Sequence, residues 1–164
     1  MQNAKDTFYV AMRDRLADLN PERTIAVRGA VRPGIIVQEN ELVVAPVPLD
    51  VFSLHWTKLT VQTQGPAPLI TMTCEISYAT DGTSANAGMD RGRMLAVMDA
   101  ELAAIVGTEP RRLPKLSYTT MPPVPMMTNV FWGELTFGVL TAVGERLSRT
   151  TIVEVFSYGE AGEL

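Results

Sequence analysis

Ile70-Thr71-Met72-Thr73-Cys74-Glu75-Ile76-Ser77-Tyr78 alternates without a break, with Ile70, Met72, Cys74, Ile76 and Tyr78 on one side and Thr71, Thr73, Glu75 and Ser77 on the other. Successive side chains of an extended chain point to opposite faces, so this stretch predicts a strand with one face buried. Its second face is wet or lies against a partner. Upstream, Trp56 to Gln64 reads as another strand, closed by Gly65-Pro66. Downstream, the small-residue loop Ala79-Thr80-Asp81-Gly82-Thr83-Ser84 leads into a helical pattern, where Met94, Leu95, Met98, Leu102 and Ile105 form an apolar stripe. Gly107 is expected to end that helix as a left-handed cap, and Ser84 to cap its start.

Nearer the N-terminus, Phe8, Met12, Leu16 and Leu19 recur at helical spacing, with Arg13, Asp14 and Asp18 on the other face. The reading is an amphipathic helix from Asp6 to Leu19. It stops at Asn20-Pro21, because proline disfavours the α conformation in the residue before it. Thr24 to Arg28 alternates, and Gly34-Ile35-Ile36-Val37 is expected to pair as a hairpin with Leu42-Val43-Val44 across Gln38-Glu39-Asn40-Glu41. Pro110, Pro114, Pro122, Pro123 and Pro125 interrupt residues 108–129, which read as a long extended segment unsuited to a helix or a central strand. Two alternating segments close the chain, Val130 to Ala142 and Thr150 to Tyr158, and are expected to pair antiparallel. The fold class predicted is α+β: a mostly antiparallel twisted sheet with two main helices packed on one face. One domain spans residues 1–164, since a chain of 164 residues with 46% hydrophobic side chains fills a single core.

Fourteen Lys plus Arg against eighteen Asp plus Glu give a net charge of −4 without any basic run, which disfavours tight binding of DNA or RNA. The opening Met1 to Asp6 lacks the layout of a signal peptide, and no apolar run approaches the ~18 residues that span a bilayer. A cytoplasmic chain is expected. The single cysteine, Cys74, forms no internal disulfide, in keeping with a reducing compartment.

No constellation of catalytic or metal-binding residues emerges. A Cys–His nucleophile would need Cys74 within reach of His55, yet Cys74 sits on the apolar side of the best strand, where a free thiol behaves as a small hydrophobe. One His and one Cys do not build a structural zinc site. Gly82, Gly88 and Gly92 match neither phosphate-loop spacing. Asp90 with Asp99, and Glu101 with Glu109, read as solvated helix faces. No cofactor, metal or enzymatic activity is therefore expected. A small-molecule or hydrolytic site made from the Thr80–Ser84 loop with His55 stays open as an alternative. Met121, Met126 and Met127, followed by Phe131 and Trp132, place adaptable apolar side chains on a stiffened backbone. They suit docking against another chain or packing over their own sheet. Val153, Val155 and Tyr158 of the closing strand complete the candidate interface.

Helix, early hairpin, the alternating strand Ile70 to Tyr78, its small-residue loop, the helix over Arg91 to Val106, and the strands Val130 to Phe137 and Ile152 to Tyr158 come in an order that resembles the tail terminator proteins of long-tailed bacteriophages and related particles. The resemblance lies in organisation over most of the chain and involves no signature motif. It implies a structural virion subunit of the tail and neck, assembled in the host cytoplasm. Its partners would be copies of itself in a homo-oligomeric ring, a hexamer, together with the tail tube protein and a neck or head-completion protein. It would bind no nucleic acid specifically, though DNA would pass through the ring, and no membrane. Another neck or tail-completion connector is the related alternative. A ring needs two complementary surfaces on each subunit, and unpaired sheet edges supply them. Val130 to Ala142 and Thr150 to Tyr158 are the candidate edges.

Overall fold

The computed structural model describes residues 1–40, 48–161 and 163. Two helices pack on one face of a mostly antiparallel sheet, the α+β architecture expected from the alternating strand. The elements follow one another as α1 (Gln2–Leu19), β1 (Thr24–Val27), β2 (Ala30–Pro33), β3 (Ile35–Val37), β4 (Phe52–Gln62) and β5 (Leu69–Thr80). After them come α2 (Arg91–Gly107), β6 (Arg112–Ser117), β7 (Val124–Trp132), β8 (Thr136–Phe137), β9 (Thr141–Val143) and β10 (Arg146–Tyr158). The main sheet has the order β3-β4-β5-β10-β7-β6, and β8 and β9 also pair with β10; β1 and β2 form a separate ribbon.

β5 behaves as its alternation requires. Ile70, Met72, Cys74, Ile76 and Tyr78 are buried, and β10 pairs with β5 along its whole length, from Leu147 opposite Thr80 to Tyr158 opposite Leu69. Paired residues share a face, so Val153 and Val155 join the same core as Cys74 and Met72. Phe8, Met12 and Leu16 of α1 and Leu95, Met98, Leu102 and Ile105 of α2 close over that face. Phe8 stands edge-on to Trp56 and Trp132, with centroids 5.9 and 5.7 Å away, the arrangement that aromatic quadrupoles favour. The opposite sheet face has no described layer on it; it carries Thr71, Thr73, Glu75 and Ser77, with Thr73 donating to Glu154 at 2.8 Å.

Several expectations need correction. α1 starts at Gln2, because Ala4 and Thr7 extend its buried stripe by a turn, and Leu19 at its far end is half exposed. Gly107 is the last helical residue of α2 and not a left-handed cap; the Thr108 amide and hydroxyl both bond to the Ala104 carbonyl, at 3.1 and 2.7 Å, and Pro110 follows. Ser84 lies in a single 3-10 turn, Ser84–Asn86, and does not cap α2, whose N-terminal neighbour is Asp90. β3 pairs in parallel with Phe52–Leu54. The proposed hairpin partner Leu42–Val44 lies outside the described residues. β1 and β2 turn through Arg28 and Gly29, both at positive φ, which matches the twist of a two-residue hairpin loop.

Residues 108–129 are not a long loop but mostly the β6–β7 hairpin. Each strand-borne proline sits where no ladder bond is lost. Pro114 is on the outermost strand, and Pro125 lies on β7 before its pairing with β10 begins at Val130. The segment Val130 to Ala142 does pair antiparallel with β10, but in three short pieces, β7, β8 and β9.

Candidate assembly surface

A sheet exposes hydrogen-bonding backbone only along its margins, so the outer strands decide what this molecule offers to another chain. β10 is not among them. It is flanked by β5 on one side and by β7, β8 and β9 on the other. The expectation that Thr150 to Tyr158 forms an edge is therefore corrected, because its amides and carbonyls are engaged within the chain.

The β6 margin is sealed. Pro114 has no N–H to offer, the Leu116 amide donates to the Thr7 hydroxyl at 3.0 Å, and the Tyr118 amide donates to the Asn3 side chain at 3.4 Å. From the same strand Lys115, fully buried, reaches the Tyr158 carbonyl at 2.7 Å and the Glu163 carboxylate at 2.5 Å, with Glu160 at 3.7 Å. Burial disfavours ionisation of Glu163, yet the Lys115 ammonium and the Glu160 amide outweigh it and hold the carboxyl below its ordinary value. This clasp ties the C-terminal residues to β6 and, through Thr128, to β7.

Two other margins stay open. β3 covers only Phe52–Leu54 of β4; the Trp56 amide bonds to the Glu39 carboxylate at 3.1 Å, a bulge follows, and among the described residues no strand lies outside Lys58–Gln62. There Leu59 and Val61, opposite Met72 and Ile70 and so on the helix side, remain 41% and 37% exposed. Across the sheet, β8 and β9 take over the flank of β10 beyond Trp132, and no described strand pairs their outer side. That segment exposes Val139 (85%) and Val143 (71%). Gly138 lets the segment lie close: its amide bonds to the Thr150 carbonyl at 2.9 Å, and a Cβ on it would stand 2.6 Å from that oxygen.

The candidate interface residues divide by burial. Met121 and Met127 are almost fully exposed, Tyr158 is partly exposed, and Phe131 lies opposite Phe156 on the uncovered sheet face. Met126 is half-buried, with its sulfur accepting from the Asn3 amide at 3.6 Å. Trp132, Val153 and Val155 are buried and not available to a partner; the Trp132 indole N–H donates to the Val106 carbonyl at 2.9 Å. Leu59, Val61, Val139 and Val143 escaped the sequence reading. Leu59 and Val61 stood in a strand-like segment that only the strand order reveals as outermost, Val139 in the segment Val130 to Ala142 already expected to form an edge, and Val143 just past it.

The chemical alternative is not assembled. His55 pairs with Glu75 on one face of the sheet, while Cys74 points to the other and is buried, which pushes its thiol well above the ordinary range. Glu75 lies five residues from Thr80 along β5, about 16 Å at ~3.3 Å per residue, which separates His55 from the Thr80–Ser84 loop. The loop is organised by Asp90, which accepts from the Thr83 hydroxyl at 2.6 Å, the Thr83 amide at 2.8 Å and the Asn86 amide at 3.0 Å. These bonds hold its carboxyl far below the usual carboxylate range. Glu101 is a buried partner of Arg23 and not part of a solvated helix face, and Asp99 accepts from the Tyr78 hydroxyl. Among the described residues no group of three or more His, Cys, Asp or Glu is placed to hold a metal, and no helix is long and apolar enough to cross a membrane. No protein-family model matches the sequence, and no curated protein matches it.

Proposed function

We propose that this chain is a structural subunit that closes into a homo-oligomeric ring, of the kind that terminates the tail tube of a long-tailed phage or phage-like particle. The observation that carries the reading is where apolar surface is left over. Val139, Val143, Leu59 and Val61 lie along sheet margins that no described strand covers, and Met121 and Met127 lie on the β6–β7 hairpin; Val31 and Met89 are exposed elsewhere on the surface. Apolar side chains beside unpaired backbone suit association with another chain. The order of elements, helix, strands, amphipathic strand, helix and paired closing strands, supports the tail-terminator assignment.

In this reading the ring is a hexamer that caps the tube, stops its growth and presents its other surface to a neck or head-completion protein. A net charge of −4 suits a passage through which DNA slides without being held. The chain performs no catalysis. Sedimentation velocity and negative-stain microscopy of the purified protein test this: closed rings with an axial opening are the expected result. A particle that stays monomeric at high micromolar concentration would refute it.

A further inference from the structure

We infer that copies of this chain join head to tail through two particular corners of the sheet, the β4 margin at Lys58–Gln62 of one copy meeting the segment Val139–Val143 of the next. The inference deepens the ring reading and rests on it for the identity of the partner.

The two corners are diagonally opposed. Lys58–Gln62 flanks the Leu69–Thr73 end of β5, whereas β9 flanks Arg146–Ser148 of β10, which lies against the other end of β5 at Thr80. They also lie on opposite sides of the sheet. A subunit with two distinct, non-overlapping surfaces makes heterologous contacts, the kind that closes a ring. The margin at the far end of the sheet, β6, is sealed by Thr7, Asn3 and Pro114 and does not compete.

Each corner presents what the other accepts. Among the described residues no strand pairs the outer backbone of either corner, and such backbone recognises another extended segment. Both leave apolar side chains in water, Leu59 and Val61 on one and Val139 and Val143 on the other. Their charges are opposite: Lys58 is the only charged residue from 58 to 62, and Glu145, just past β9, is the only one from 136 to 145. Neither pairs with another charge among the described residues. The main competing occupant, a two-fold partner pairing β4 with β4, would leave Val139, Val143 and Glu145 unused.

Two variants of the full chain decide the matter in sedimentation velocity, with circular dichroism confirming that each is folded. Leu59→Lys/Val61→Lys blocks the β4 corner, and Val139→Lys/Val143→Lys blocks the other. Each alone is expected to be monomeric, and an equimolar mixture to form dimers only, because one intact junction remains per pair. Lys58→Glu is expected to weaken assembly at least tenfold, with recovery when combined with Glu145→Lys. Assembly that persists in both blocked variants overturns this inference and leaves the ring reading standing. A β4-blocked variant that is monomeric beside an unaffected second variant points to two-fold pairing and also overturns it. A wild-type protein that never associates removes the ring reading as well.

Discussion

Lys115 is the residue whose placement is least expected of its type, since a lysine is almost never fully buried unless it is paired. It is held by the Tyr158 carbonyl, Glu163 and Glu160, so three acceptors replace its hydration. Removing the cation takes the closest charge partner from a carboxylate that is itself nearly buried, leaving it the Met1 ammonium at 3.5 Å and the Glu160 amide at 2.9 Å, a loss of about 3 kcal/mol, at the low end for breaking a buried pair. Lys115→Met is therefore expected to lower the melting temperature by roughly 6–12 °C for a loss near 3 kcal/mol, which a calorimetric scan measures. Acid tests the same clasp. Glu163 and Glu160 are both held below their ordinary 4.5 in the folded chain. Their contribution is complete above that value and is lost as pH falls through the lowered folded one. The stability gap between wild type and Lys115→Met should accordingly narrow below pH 4.5; a gap unchanged down to pH 3 would show that the carboxylates are not the partners that matter.

At the level of elements, one hydroxyl makes the shorter of the two side-chain bonds that seal β6. Thr7 donates to the Asn3 carbonyl at 2.7 Å while accepting from the Leu116 amide. Thr7→Val keeps the shape but orphans that amide, at a cost of about 1–3 kcal/mol. Hydrogen exchange should register it as faster exchange at Leu116, with β5 and β10 protected as before. Gly138 plays the corresponding part on the open side. Alanine there would meet the Thr150 carbonyl at 2.6 Å, so the β8 backbone must shift, with a loss of about 1–3 kcal/mol and earlier exchange along residues 136–143. What sequence could reveal of these elements follows from how local each signal is. The period of two from Ile70 to Tyr78 and the stripe from Leu95 to Ile105 are written in consecutive residues, and both hold in the structure. Strand order is not local: β5 finds β10 across more than sixty intervening residues, and nothing within Thr150 to Tyr158 announces that both of its sides are occupied. Prolines misled for a related reason. Pro114 and Pro125 rule out a strand only if their missing N–H was needed, and the β6–β7 hairpin puts them where it was not. For the β1–β2 ribbon, Arg28-Gly29 between short apolar runs was the available clue, with arginine in a place where asparagine is the usual signal.

For the whole molecule, the consequence of open margins is that stability and assembly are linked. Association that involves only folded chains stabilises them by mass action, so the melting temperature of the wild-type protein should rise with protein concentration. A chain whose margins are complete in one copy would melt at a constant temperature. Blocking the β4 corner with Leu59→Lys/Val61→Lys should flatten the dependence while leaving the low-concentration value nearly unchanged, because both side chains are already part exposed. Ionic strength separates the forces that act across the junction. A Lys58–Glu145 attraction at the surface is screened over about 8 Å at physiological salt and about 3 Å at 1 M, whereas backbone pairing and apolar burial are not. Assembly should therefore slow in 1 M salt yet persist. Its complete loss would mean that charge alone holds the copies together, and would assign the exposed Val139 and Val143 to a different partner.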